Sequence, residues 1–74
     1  MQSDKLVMMA NQIAKFFEVQ GEARALPQIT NHIELFWDPR MRKAIGDHLA
    51  QGGAGLDPLA KQAIGELKSA VGTP

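Results

Sequence analysis

An Asp-Pro pair directly after the single tryptophan limits the possible folds of this chain most strongly. Trp37 ends one run of apolar residues at helical spacing, and Asp38-Pro39 begins the next. Aspartate is favoured before a helix because its carboxylate accepts a hydrogen bond from the free N–H groups of the first turn. Proline fits the first helical position, where an N–H is not needed. We therefore predict a corner at which two helices meet with almost no loop.

Turn-forming residues divide the whole chain into four apolar stripes at helical spacing. Glycines follow the first and third stripes, and a second Asp-Pro pair at residues 57 and 58 precedes the fourth. Pro27 places the start of the second helix between residues 23 and 26, since proline belongs in a first turn. No stretch alternates with period two. We predict one all-α domain over residues 1–74, a small bundle of about four short helices covering residues 4–20, 25–37, 39–51 and 58–71.

The sources of stability open to so short a chain are few. A domain of 74 residues buries only about 60% of the surface that it exposes when unfolded. The chain has no cysteine, which excludes disulfides and thiolate metal sites. His32 and His48 come from different helices, whereas a stable metal site needs three or four ligands. His48 lies in an apolar stripe and is expected to be a core histidine bonded to backbone. Helical packing or a partner must therefore supply the stability.

Charge and motif content argue against several functions. Eight basic and eight acidic residues balance, whereas a general nucleic-acid binder is normally basic. No apolar run approaches the length of a membrane span, and the N-terminus lacks the features of a signal peptide, so we expect a cytoplasmic protein. The segment Gly52-Gly53-Ala54-Gly55 lacks the Gly-Lys-Ser/Thr ending of a phosphate loop and is expected to be a turn. No nucleophile or carboxylate pair stands out, so we predict a non-catalytic protein without a bound cofactor or metal.

The predicted corner is the candidate partner-binding site. Two arginines at the start of a helix oppose its macrodipole by about 0.3–1 kcal/mol each, so we expect at least one of them to pair with a carboxylate, within the chain or across an interface. Tryptophan and arginine are also frequent in binding hot spots. For Phe36 a core position is favoured. The predicted site comprises Phe36, Trp37, Asp38, Pro39, Arg40, Met41 and Arg42.

Several apolar residues do not belong to the core stripes. Met8, Val19 and Leu35 point away from the apolar faces of their helices. An exposed apolar patch marks an interaction site. We therefore predict that these three residues, together with Phe16 and Trp37, form such a patch.

The seven residues of the corner carry a family resemblance. Phe36-Trp37-Asp38-Pro39-Arg40-Met41-Arg42 resembles a signature of the delta subunit of NAD-dependent formate dehydrogenases, and segments within residues 5–13, 31–33 and 48–58 are similar to the same family. The resemblance spans roughly residues 4–67. It implies a small accessory subunit of a cytoplasmic molybdenum or tungsten complex, whose alpha subunit holds the molybdopterin cofactor and iron–sulfur clusters. The delta subunit would aid maturation or stabilise the assembly.

These observations favour one function and leave two alternatives. We expect an accessory subunit, or assembly factor, that binds the large subunits of formate dehydrogenase, the alpha subunit first among them. One alternative is a small nucleic-acid-binding regulator, in which Arg40, Arg42 and Lys43 of the helix over residues 39–51 contact phosphates. The other is a homodimer of the isolated chain that covers the apolar patch.

Overall fold

Four helices account for most of the part of the chain that the structure describes. The computed structural model describes residues 3–67, apart from the side chain of Ser3. Within this part there are no strands, and the helices are α1 (Ser3–Glu18), α2 (Glu22–Phe36), α3 (Pro39–Ala50) and α4 (Pro58–Gly65). The structure therefore confirms the predicted all-α bundle.

The core lies where α1 and α4 meet the other two helices. α1 packs against α2, α3 and α4, and α4 packs against α2 and α3 as well. Buried alanines on α1, α2 and α4 let these helices approach closely, and isoleucines fill the space between them. The buried apolar residues are Leu6, Ala10, Ala14, Ala25, Ile29, Ile33, Trp37, Ile45, Leu56, Ala60, Ala63, Ile64 and Leu67.

The corner between α2 and α3 has the predicted capping chemistry. The Asp38 carboxylate accepts a hydrogen bond from the Met41 backbone N–H at 3.0 Å. Pro39 occupies the first helical position of α3. Two residues therefore suffice to join the helices, because Asp38 satisfies a free donor of the first turn and Pro39 lacks one.

The start of α2 differs from the prediction. The helix begins at Glu22 rather than at residue 25, and Pro27 lies inside it. The Gly21 carbonyl accepts the Ala25 N–H at 2.9 Å, so helical bonding starts before the proline. Pro27 cannot donate to the Ala23 carbonyl, but both residues are exposed, which leaves that carbonyl open to water. An exposed second turn thus tolerates a proline that would break a buried helix.

The end of α4 also differs from the prediction. The sequence predicts an unbroken helix over residues 58–71, and this is wrong, because α4 ends at Gly65. The N–H groups of Glu66 and Leu67 donate to carbonyls three residues earlier, at 3.1 and 3.0 Å, which tightens and closes the last turn. Residues 68–71 lie outside the described part. α1 and α3 end within two residues of their predicted ends.

Asn11 holds the loop between α3 and α4 against α1. Its Nδ2 donates to the Gly55 carbonyl at 2.9 Å, and its Oδ1 accepts the Asp57 N–H at 2.9 Å. Gly53 and Gly55 adopt φ values of 65° and 85°, which suit glycine, so the segment is the predicted turn. We call these two hydrogen bonds the Asn11 clamp, and no sequence motif indicates it.

His48 supports the same loop. Its Nε2 donates to the Ala54 carbonyl at 2.8 Å, which agrees with the predicted bond to backbone. The side chain is half-buried rather than part of the core.

Replacing Asn11 with alanine is expected to lower the free energy of unfolding by about 2 kcal/mol. The change removes both hydrogen bonds and leaves the partly buried Asp57 N–H without its acceptor. Urea unfolding followed by circular dichroism measures the loss. The neighbouring exposed residue provides the control, since Gln12→Ala should change stability by no more than about 0.5 kcal/mol. Equal stabilities of the two variants would contradict a role for the clamp.

Candidate partner-binding groove

An open groove lies between α1 and the C-terminal end of α2 and reaches the first turn of α3. Its volume is about 570 Å³. Only two of the residues that line it are polar, a glutamine and a histidine. The lining residues are Met9, Gln12, Ile13, Phe16, Phe17, His32, Phe36, Trp37 and Met41.

A row of rings crosses this groove from α1 to α2. The ring centroids of Phe16 and Phe17 lie 5.1 Å apart in an edge-to-face arrangement. Phe17 lies 6.3 Å from His32, and His32 lies 4.7 Å from Phe36. These distances are typical of favourable aromatic pairs. The two outer rings remain open to solvent, because Phe16 is 72% exposed and Phe36 is 71% exposed.

Two of the large exposed apolar residues of the described part, Phe16 and Phe36, line this groove. Met8 is exposed about 80° from Phe16 around α1 and lines a neighbouring depression. Val19 is exposed just beyond the end of α1. Leu35 is exposed and follows His32 by three residues, so it neighbours the aromatic row on α2. Met8, Phe16, Val19 and Leu35 are exposed as predicted, and their union in one patch stays a prediction. We call the surface formed by the residues that line the groove the groove face.

Trp37 and Phe36 have exchanged their predicted places. The sequence predicts Trp37 in the exposed patch, but the residue is only 4% exposed and belongs to the core. Phe36 was expected to be in the core and is exposed. The backbone leaves helical geometry at residue 37, with φ −88° and ψ 138°. This extended residue ends α2 and sets the direction in which α3 leaves the corner.

Arg42 has a role in holding α2. Its Nη1 donates to the Trp37 carbonyl at 2.6 Å and to the Glu34 carbonyl at 3.1 Å. The last carbonyls of a helix lack helical partners, and a cation there interacts favourably with the macrodipole. Arg42 opposes the dipole of α3 but stabilises the C-terminus of α2, which explains an arginine at this position.

Arg40 differs from its neighbour. It is exposed, and its side chain takes part in no hydrogen bond or ion pair within residues 3–67. Pro39 is also exposed, whereas Met41 is half-buried and lines the groove. Lys43 pairs with Asp47 at 3.2 Å on the solvated side of α3. For Arg40, pairing with a carboxylate across an interface stays a prediction.

The two arginines should respond differently to truncation. Arg42→Ala is expected to lower the free energy of unfolding by about 1.5–3 kcal/mol, because a charged donor to two carbonyls is lost. Arg40→Ala should leave stability within about 0.5 kcal/mol of the unaltered chain. Thermal unfolding of both variants provides the comparison. A larger loss for Arg40→Ala than for Arg42→Ala would refute these assignments.

The chemistry of the groove suits binding of an apolar surface. Its lining includes no carboxylate, hydroxyl or thiol. Within the described residues, no group of three or more His, Cys, Asp or Glu side chains could hold a metal ion. No described helix combines the length and the apolar character that crossing a membrane requires.

The sequence matches one family of known proteins. The model of the NADH-dependent formate dehydrogenase delta subunit family, FdsD, matches residues 5–64. No curated protein and no solved structure matches the chain. The matched span includes the corner and every residue that lines the groove.

Proposed function

Because the chain belongs to the family of NADH-dependent formate dehydrogenase delta subunits, we propose that it is a non-catalytic accessory subunit of a cytoplasmic formate dehydrogenase. It binds the large subunits of the complex, the alpha subunit first among them. Through this contact it supports assembly, cofactor maturation or stability of the enzyme. The observation that carries the proposal is the exposed aromatic groove.

The two exposed phenylalanine rings favour a contact with a partner protein. Phe16 and Phe36 remain largely in water in the isolated chain. Burying one phenylalanine side chain contributes about 1.5–3 kcal/mol, so covering both would contribute about 3–6 kcal/mol before the costs of association. Within the bundle each of the two rings packs against only one other ring of the row, Phe16 on Phe17 and Phe36 on His32. Binding of a partner surface over the two rings would remove them from water.

The seven corner residues divide into two roles under this proposal. Phe36, Pro39, Arg40 and Met41 form the surface that a partner reaches. The other three residues support that surface. Trp37 is buried in the core, Asp38 caps α3, and Arg42 donates to the Trp37 carbonyl at the end of α2. The seven residues therefore work as one unit, although only part of it contacts the partner.

The nucleic-acid alternative has less support. Of its three basic residues, Arg42 binds the carbonyls of α2, and Lys43 pairs with Asp47. Phosphate binding would have to displace both contacts. The groove face is also apolar rather than densely basic.

Purification of the complex from cells with and without this chain tests the proposal. We expect the tagged chain to co-purify with formate dehydrogenase, identified by mass spectrometry. Without the chain, formate oxidation should fall, and restoring the chain should restore it. Low metal content in intact complex would point to maturation, whereas normal metal content in dissociated subunits would point to assembly or stability. A complex of unchanged composition, metal content and activity, from which the chain is missing, would refute the proposal.

A further inference from the structure

Cations border the groove face. Lys5 precedes Met9 by one helical turn and lies about 20° from Phe16 around α1. Arg24 lies on the strip of α2 that continues through Gln28 toward His32, and both cations are exposed. Neither side chain takes part in a hydrogen bond or ion pair within residues 3–67. With Arg40 beside Met41, one exposed cation that makes no ion pair within residues 3–67 stands on each of the three helices that form the groove.

The carboxylates of α1 and α2 do not line the groove. Asp4 lines a neighbouring depression together with Asp57, and Gln12 lines both that depression and the groove. Glu18 and Glu22 line another depression beside α4. Glu34 follows His32 by two residues and so points about 200° away around α2.

The carboxylate of the corner is already engaged. Asp38 caps α3 through the Met41 N–H. The groove face therefore has an apolar centre without a carboxylate, and an exposed cation stands on each of the three helices beside it.

The groove has the length of a short helical contact. Its α1 side extends from Met9 to Phe17, which is about 12 Å at 1.5 Å per residue. Two turns of a docked helix, with apolar anchors three, four and seven residues apart, span a similar distance. The Phe16 and Phe36 rings are both open to solvent.

We propose that the groove face binds an amphipathic, acidic helix of another formate dehydrogenase subunit. The apolar stripe of that helix lies on Phe16 and Phe36, and its flanking carboxylates pair with Lys5, Arg24 and Arg40. Complementary charge selects this partner and its orientation, while the apolar contact supplies most of the affinity. The inference rests on the proposed function and names the chemistry of the partner.

A second copy of this chain fits the groove face less well. A two-fold symmetric dimer brings the same patch of each protomer together. Such a contact would bring the cations Lys5, Arg24 and Arg40 of one protomer close to those of the other, and the groove lining has no carboxylate to compensate them. Like charges across an interface oppose binding.

Charge reversal at the margin tests the inference against purified formate dehydrogenase from cells that lack this chain. The variant Arg24→Glu/Arg40→Glu should weaken binding at least tenfold and reduce its salt dependence. The control Lys43→Glu/Lys61→Glu changes the net charge equally on exposed residues of α3 and α4, and should bind within about twofold of the unaltered chain. Binding of both variants like the unaltered chain would overturn the inference and leave the proposed function standing. Failure of the unaltered chain to bind would overturn both.

Cross-linking identifies the bound segment directly. A photoreactive phenylalanine analogue at position 16 should cross-link to a formate dehydrogenase peptide with apolar residues at helical spacing and flanking Asp or Glu. The same analogue at Gln62, exposed on α4, should give no such product. Cross-linking from position 16 to a second copy of this chain, to a basic segment or to a segment without helical spacing would overturn the inference.

Discussion

Replacing Trp37 with alanine is expected to lower the free energy of unfolding by about 3–5 kcal/mol. The indole is 4% exposed and belongs to the core cluster, so its removal leaves a cavity beside α2 and α3. A chain of 74 residues has a total stability of about 4–11 kcal/mol at the usual 0.05–0.15 kcal/mol per residue. The variant should therefore lose about a quarter or more of the total stability. Urea unfolding followed by circular dichroism measures the change, since the only tryptophan is absent.

The adjacent residue provides the matched control for this prediction. Phe36→Ala removes a ring that is 71% exposed, so it should change the free energy of unfolding by no more than about 0.5 kcal/mol. Each substitution removes one aromatic ring, which is buried at position 37 and exposed at position 36. Equal losses of stability would show that the corner does not place these two rings as described.

The double substitution Phe16→Ala/Phe36→Ala is expected to weaken binding to formate dehydrogenase at least about 30-fold. Truncation of an aromatic hot-spot residue typically costs about 2 kcal/mol or more, and each factor of ten corresponds to about 1.4 kcal/mol. The fold should persist, because both rings are largely exposed. Binding is measured with the purified enzyme from cells that lack this chain, and circular dichroism checks the fold.

An exposed residue far from the groove serves as the control for binding. Lys61→Ala, on α4, should bind within about twofold of the unaltered chain. If the double variant binds as tightly as Lys61→Ala, the groove is not the contact surface.

The helices and their connections could be predicted because their determinants are local. Asp38 and Pro39 are adjacent in sequence and act within one helical turn, so capping chemistry alone indicated the corner. The glycines of the α3–α4 loop likewise marked a turn that needs positive φ. Helical spacing also identified Met8 and Val19 as residues that point away from the core.

The arrangement at the corner could not be predicted from spacing. Helical periodicity assumes that the helix continues, whereas α2 ends at Phe36 and the backbone is extended at Trp37. Phe36 and Trp37 both follow the apolar spacing of α2, so spacing alone does not decide which ring the other helices cover. The same limitation applies to Leu67, which fits the spacing of α4 yet reaches the core from non-helical backbone.

Hydrogen bonds between segments distant in sequence could not be predicted from sequence patterns either. Asn11 bonds to Gly55, 44 residues away, and the Thr30 hydroxyl donates to the Ala63 carbonyl, 33 residues away. Neither residue belongs to a recognisable motif. Arg42 could be singled out as unexplained by its own helix, but its acceptors became apparent only when α2 and α3 were placed end to end.

Side-chain footprinting of the chain, alone and bound to formate dehydrogenase, tests the central claim most directly. Hydroxyl radicals oxidise exposed phenylalanine, methionine and tryptophan, and mass spectrometry locates the oxidised residues. In the free chain, Phe16 and Phe36 should react readily and Trp37 should not. Binding should protect both phenylalanines and leave Trp37 unchanged. Phenylalanines that react equally in the free and bound chain would contradict the claim that the groove face is the docking surface.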